Sequence, residues 1–390
     1  MSAPTTTIFT AMTALAERTG AVNLGQGFPD FDGPPDLLRH AKDMIDAGHN
    51  QYPPLTGVPR LRTAVAEQRA RRHGTVYDPD REVLVTAGAT EALAATLLAL
   101  CEPGDEVVVF EPYYDAYRAG IELARARCRT VRLRPDATGR FRMDPDELAA
   151  AVTPRTRLLL LNSPHNPTGT VFDRAELAHV AAVCLRDDVI AVADEVYEYL
   201  TYDGVPHVSL AELPGMRDRT LVISSAGKTF NVTGWKVGWL CGPAGLVEQV
   251  RAVKQYLTFA SGTPLQHAVA HALPTAEHWA RGLAATLAQN RDRLAAALAE
   301  AGLPPYRCAG TYFLQADTRQ LGEADGVRFC EQLPHRVGVV AIPSAVFYDD
   351  PAGASHVVRF AFCKQPPVLA EAARRLAGLR PRDPSGTERR

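Results

Sequence analysis

From residue 82 onward, apolar residues gather into short unbroken runs separated by stretches with helical spacing: EVLVT (82–86), EVVVF (106–110), TRLLLLN (156–162), VIAVA (189–193) and TLVIS (220–224). Runs that are mostly apolar without strict alternation fit strands covered on both faces, as at the centre of a mostly parallel sheet. Between them, ATEALAATLLALC (89–101) and DPDELAAAV (144–152) read as helices. The second carries a start signal, with Asp144 as cap, Pro145 at the first helical position and Glu147 at the third. The alternation predicts an α/β fold whose sheet is flanked by crossover helices.

After about residue 243 the pattern turns mainly helical, and from about 305 it shows the short strands TYFLQA (311–316), VGVVAI (337–342) and HVVRFAF (356–362) before a last helix near 367–379. This shift predicts a second, smaller α+β domain beyond a long helical connection. The expected division is an N-terminal arm and part of the small domain over 1–43, a large domain over 44–285, the small C-terminal domain over 286–380 and a disordered tail, PRDPSGTERR, over 381–390.

Composition narrows the function without naming it. Across 390 residues, 46% are hydrophobic and 22% charged, which is ordinary for a globular enzyme with ample apolar surface to bury. A formal net charge of -2 offers no basic stripe for nucleic acid or an anionic membrane, so neither is an expected partner. The seven cysteines are widely spaced and never form CxxC, so they read as small core residues in a reducing compartment and not as a metal or disulfide set. The opening MSAPTTTIFTAMTALAERTG lacks a basic segment followed by an apolar core, and no apolar run approaches the roughly 20 residues that span a bilayer. The expectation is a cytoplasmic protein, in which the Asn231-Val232-Thr233 glycosylation pattern is a chance match.

Chemistry concentrates in SSAGKTFNVTGWKVGW (224–239), which leaves a predicted strand and sets Lys228 in a loop of small residues that would let a flat molecule approach the backbone. A lysine forms an imine with an aldehyde only when its amine is neutral, which burial and a nearby cation such as Lys236 promote. A solvated surface lysine is the plain alternative. SPHNPTG (163–169) and ADEVYEYL (193–200) also follow predicted strands, where open α/β sheets place ligands. Asp194 there suits a pyridinium partner, against the alternative of a helix cap or surface acid, while Asn166-Pro167-Thr168-Gly169 alone would be a turn.

Taken together, NPTG, DEVY and SxxK resemble, in order and spacing, the class I/II aminotransferases of the fold-type I pyridoxal-phosphate family, and the resemblance covers essentially the whole chain. VNLGQGFPDF, NQYPP and SAGKTFNVTGWKVGW are similar to the kynurenine/glutamine transaminase branch, and NLGQGFPD and SPHNPTG to actinobacterial N-succinyldiaminopimelate aminotransferases. The resemblance implies pyridoxal 5′-phosphate held by Lys228, which also shuttles a proton, with Asp194 on the ring nitrogen and Asn166 and Tyr197 on the phenolic oxygen. It implies a phosphate clamp from the backbone of Ala89 and Thr90 at a helix start, with Ser225 and Lys236, the last where the family often has arginine. Tyr114 would stack on the ring, leaving Tyr113 to packing. Arg359 and Gly27, with Asn166, would bind the substrate α-carboxylate, and Tyr52 would reach the phosphate of a neighbouring subunit, making the unit a homodimer with shared sites.

The expected reaction is amino-group transfer between an L-amino acid and a 2-oxo acid in ping-pong order. QYLTFASGTP (255–264) contains no arginine where dicarboxylate-specific relatives carry one, so aspartate is disfavoured as donor. A β-lyase on the same scaffold, or a specialised transaminase for a substrate such as N-succinyldiaminopimelate, are the alternatives. A regulator that borrowed the fold would be expected to carry a fused DNA-binding domain, for which residues 1–43 are short.

Overall fold

The computed structural model describes residues 7–379 of the chain. All five apolar runs form strands of one seven-stranded sheet: Val83–Thr86, Glu106–Glu111, Thr156–Asn162, Ile190–Asp194 and Thr220–Ser225. Their neighbouring side chains serve opposite faces, as the pleat requires. Val107, Val109, Leu158 and Leu160 pack with Leu97, Ile121 and Val250 on one side, while Val108, Phe110, Leu159 and Leu161 pack with Leu177 and Val180 on the other. Burial on both faces explains why these strands lack a polar alternation.

Across the sheet the order is Val83–Thr86, Gly238–Cys241, Thr220–Ser225, Ile190–Asp194, Thr156–Asn162, Glu106–Glu111 and Arg127–Arg132. All neighbours are parallel except Gly238–Cys241, which runs antiparallel to both of its partners. Two of these strands were missed in the sequence. Gly238–Cys241 is only four residues long and begins at the end of the segment of small residues read as a cofactor loop. Arg127–Arg132 is an edge strand whose Arg127 and Arg129 face solvent, a device that keeps an edge from pairing with another chain. Helix Gly88–Leu100 and helix Pro145–Ala151 form where expected, and the Asp144 carboxylate accepts from the N–H groups of Asp146 and Glu147.

Beyond the sheet, helices Ala244–Lys254, Thr263–Thr275 and the 24-residue Glu277–Glu300 lead to a second, three-stranded antiparallel sheet ordered Phe313–Asp317, Val357–Ala361, Ile342–Pro343, closed by helix Pro366–Leu376. The run VGVVAI is broken: Val337 ends a helix, Val339 and Val340 pair in parallel with Val22–Asn23, and Ile342 joins the second sheet. Met12 and Ala16 of helix Ile8–Thr19 share a core with Leu333, Val339, Phe360 and Leu376, so the start of the described chain lies against its end. The expected breaks at 43/44 and 285/286 fall within helices Pro35–Asp46 and Glu277–Glu300, and the former packs on Thr263–Thr275. The expected tail lies outside the described residues.

Candidate active site

Parallel strands bring their C-terminal ends to one edge of the sheet, and here those ends are Asn162, Asp194 and, on the lysine strand, Ser225. They border a cavity of about 420 Å³. Of the residues expected from sequence, Lys228, Asp194, Asn166, Tyr197, Tyr114, Ser225 and Lys236 line it. So do Ala89 and Thr90 from the helix start, and Gly27 and Arg359 from the two distant ends of the chain. Lys228 stands in a one-turn helix, Ala226–Thr229, and not in the open loop expected: the Phe230 N–H closes on the Ala226 carbonyl and the Thr229 hydroxyl on that of Ser225.

Burial, helped by the Lys236 and Arg359 cations, lowers the Lys228 amine to about 8, so a useful fraction is neutral near physiological pH. Its Nζ donates to the Tyr312 hydroxyl at 3.0 Å, and that hydroxyl donates to the Gly27 carbonyl at 2.7 Å. Burial raises Asp194 to about 6, opposed by Tyr117, whose hydroxyl donates to Oδ2 at 2.6 Å, and by the Val196 N–H on Oδ1.

A chain of hydrogen bonds then fixes Asn166. Asn162 Nδ2 holds the Asp194 carbonyl, Asn162 Oδ1 accepts the Asn166 N–H at 2.7 Å, and Arg359 donates to Asn166 Oδ1 at 3.1 Å. With Oδ1 taken by a cation, the Asn166 amide must turn its Nδ2 donors elsewhere. Arg359 is 2% exposed, boxed by the rings of Phe9, Phe313 and Phe347, and burial lowers its guanidinium to about 10, still charged at neutral pH. Its Nε–H is buried with no hydrogen-bond partner among the described residues.

Behind the cavity the acids that follow Asp194 point the other way. Glu195 takes Arg69 at 2.9 Å and the Ser209 hydroxyl at 2.6 Å, while Glu198 takes the Ser224 hydroxyl, Gln68 and His73. Burial pushes Glu195 up, but Arg69 and the His207 and His73 rings outweigh it and hold it at about 2.

The donor set fits pyridoxal 5′-phosphate. At one end of the cavity the first-turn N–H groups of helix Gly88–Leu100 point out with the helix dipole behind them. The Ser225 hydroxyl and Lys236 ammonium beside them have no side-chain partner among the described residues. Gly88 has φ +76, and a Cβ there would meet Lys236 Cε and Nζ at 3.3 Å, so glycine keeps this anion cradle open. A buried carboxylate at the other end suits a ring cation, and a buried, part-neutral amine between them suits an aldehyde. That combination is the site of an enzyme that works through pyridoxal 5′-phosphate.

Tyr52 is the one expected residue outside this cavity: it is 83% exposed, its ring against Phe259. Tyr113 is buried and its hydroxyl bonds Asp349, a packing role as expected. Sequence reasoning missed Asn162, Tyr117, Tyr312 and Phe9. A polar residue closing an apolar strand flags Asn162, and Tyr117, three residues after Tyr114 at a helix start, shares its face. Tyr312 and Phe9 sit in apolar contexts that carry no signal.

Comparison with known proteins identifies the family. The sequence pattern of the family "Aminotransferase class I and II" matches residues 19–376. A probable N-succinyldiaminopimelate aminotransferase of Mycobacterium tuberculosis is 53% identical over 96% of both chains, and the solved structure of the enzyme from that organism superposes with a TM-score of 0.93, covering 96% of this chain and 97% of the other. The methionine aminotransferase of Escherichia coli is 42% identical over 96% of both chains, and kynurenine–oxoglutarate transaminase 1 of Mus musculus is 38% identical over 93% of both. The chain belongs to the class I and II aminotransferases: it is a fold-type I, pyridoxal-phosphate-dependent enzyme that transfers amino groups between amino and oxo acids.

Proposed function

We propose that the enzyme takes its amino group from α-amino acids with neutral, apolar or aromatic side chains and delivers it to a 2-oxo acid in two ping-pong half-reactions. One observation carries this reading. Among the described residues lining the cavity the cations are Lys228, Lys236 and Arg359, and the first two serve the cofactor while the third meets the α-carboxylate. A side-chain carboxylate would instead meet Asp115 and the rings of Phe9, Phe28 and Phe313, so aspartate is a poor donor.

When bound, pyridoxal 5′-phosphate supplies an aldehyde that amines condense with and a ring that draws electrons from the substrate α-carbon. The chain supplies the rest. Ala89 and Thr90 N–H groups, Ser225 Oγ and Lys236 Nζ would hold the phosphate, Tyr114 would pack on the ring and Asp194 would keep the ring nitrogen protonated. Asn166 Nδ2 and the Tyr197 hydroxyl would donate to the phenolic oxygen. Arg359, Asn166 and the Gly27 N–H orient the substrate carboxylate, and Lys228 Nζ takes the α-proton and returns it.

The exposed apolar patch of Tyr52, Tyr256, Leu257 and Phe259 supports a homodimer in which each Tyr52 reaches the partner's phosphate. Seven free cysteines, and the lack of any helix among the described residues long and apolar enough to cross a membrane, support a cytoplasmic setting. A second reading, N-succinyldiaminopimelate as donor, is favoured by the 53% identity to the mycobacterial protein.

A half-reaction screen tests both. Cofactor-loaded enzyme is mixed with methionine, phenylalanine, kynurenine, N-succinyldiaminopimelate or aspartate, and loss of the visible cofactor band is followed until a 2-oxo acid restores it. A neutral donor is expected to discharge the band fastest. Fastest discharge by N-succinyldiaminopimelate selects the second reading, and fastest discharge by aspartate overturns both.

A further inference from the structure

We propose that Tyr312 is a positioning residue for the reaction, holding the free amine of Lys228 with its lone pair toward the cavity and tying that orientation to the loop that meets the substrate carboxylate. The proposal rests on the reading of Lys228 as the cofactor-bearing, proton-moving lysine. Tyr312 is 2% exposed and precedes the strand Phe313–Asp317. Its hydroxyl lies 3.0 Å from Lys228 Nζ and 2.7 Å from the Gly27 carbonyl oxygen. A carbonyl only accepts, so the single phenolic hydrogen goes to Gly27 and the oxygen lone pair faces the lysine. Lys228 must therefore spend an N–H on Tyr312, and the lone pair of the neutral amine points away from it. A hydroxyl free to rotate would impose no such direction.

Two further contacts keep this relay rigid. The Tyr197 ring meets the Tyr312 ring edge-on at 5.3 Å, tying Tyr312 to the group assigned to the phenolic oxygen. Gly27 cannot retreat: a Cβ there would lie 2.4 Å from Phe313 Cζ, so the loop is pressed against the ring next to Tyr312. The N–H of Gly27 is assigned to the substrate carboxylate while its carbonyl holds Tyr312, so a displacement of this peptide on substrate binding reaches Lys228 through one hydroxyl.

The test replaces Tyr312 by Phe, which removes the hydroxyl and keeps the ring. In the cofactor-free protein, the pH dependence of reductive methylation of Lys228, read by peptide mass spectrometry, reports the amine directly. Loss of an acceptor for the ammonium form is expected to move the midpoint down by about one unit from about 8. In the loaded enzyme kcat is expected to fall roughly tenfold with KM for the donor held within about twofold, and the α-deuterium isotope effect is expected to rise. Unchanged kcat and midpoint overturn the proposal, as does a fall in thermal stability alone. If the Phe variant folds poorly, Tyr312→Met repeats both measurements. Lys228→Ala runs in parallel: retained covalent cofactor there sinks the lysine assignment itself, an outcome distinct from any result at Tyr312.

Discussion

Replacing Tyr117 by Phe removes one hydroxyl and leaves the helix that carries it, Asp115–Leu123, intact. That hydroxyl donates to Asp194 Oδ2 at 2.6 Å in a wholly buried setting, and it is the largest influence opposing the burial that raises Asp194 to about 6. A hydrogen bond to a charged group contributes roughly 1.5–3 kcal/mol, and about 1.4 kcal/mol corresponds to one pKa unit. Its loss therefore raises the carboxyl by about one to two units, to about 7 to 8. Pyridoxine 5′-phosphate isolates the effect, because it offers the ring nitrogen, the phenolic oxygen and the phosphate but no aldehyde for Lys228. A protonated Asp194 must release its proton before it pairs with the ring cation, so affinity falls about tenfold per pH unit below the carboxyl's value in the free protein. Calorimetric titration across pH should show this acid limb near 6 in the parent and about one to two units higher in the variant. Near pH 7 that displacement weakens binding roughly two- to tenfold. Coincident limbs would refute the assignment of Tyr117 as the group that keeps Asp194 ionised.

Two more outcomes follow from the same site. Glu195, unlike Asp194, is held below its ordinary range, at about 2, so the stability it contributes is complete above about 4.5 and drains away as pH falls toward 2. Thermal melts of the parent should drop steeply across that window, and Glu195→Gln should melt lower at neutral pH with a flatter acid dependence; parallel curves would discredit the role given to its contact with Arg69. Arg359→Lys keeps a charge but loses the planar fork that reaches Asn166 and Gly25, so KM for the amino donor should rise by roughly tenfold or more while the loaded cofactor's spectrum stays put. A normal KM in that variant would mean that the carboxylate binds elsewhere.

The residues legible in the sequence share one property: they stand where an apolar run stops. Asn166, Asp194 and Lys228 each follow a strand that buries both faces, and the abrupt change from aliphatic to polar or small residues marks the sheet edge at which ligands gather. Arg359 was reached through the family resemblance of HVVRFAF, and the structure buries it among rings. Tyr312 was not legible, and Tyr117 only through its spacing from Tyr114, because their functional atoms are single hydroxyls on rings that otherwise pack like any core aromatic. Their partners, Asp194 and Gly27, lie 77 and 285 residues away along the chain. Gly238–Cys241 was lost because its neighbours look like a binding loop, and its antiparallel direction depends on pairing with two strands distant in sequence. Lys228 was assigned to a loop because a single helical turn is shorter than any periodicity can register.

The contact between Arg359 and the Gly25 carbonyl joins positions 334 residues apart. On the ribosome, the strand ends that cradle the cofactor are all synthesised by residue 236, more than a hundred residues before the arginine. On the proposed assignment, the nascent chain carries the groups for pyridoxal 5′-phosphate before it carries the arginine for an amino acid. The contact that closes the carboxylate end of the cavity therefore waits on the last part of the chain, long after the strand ends are made.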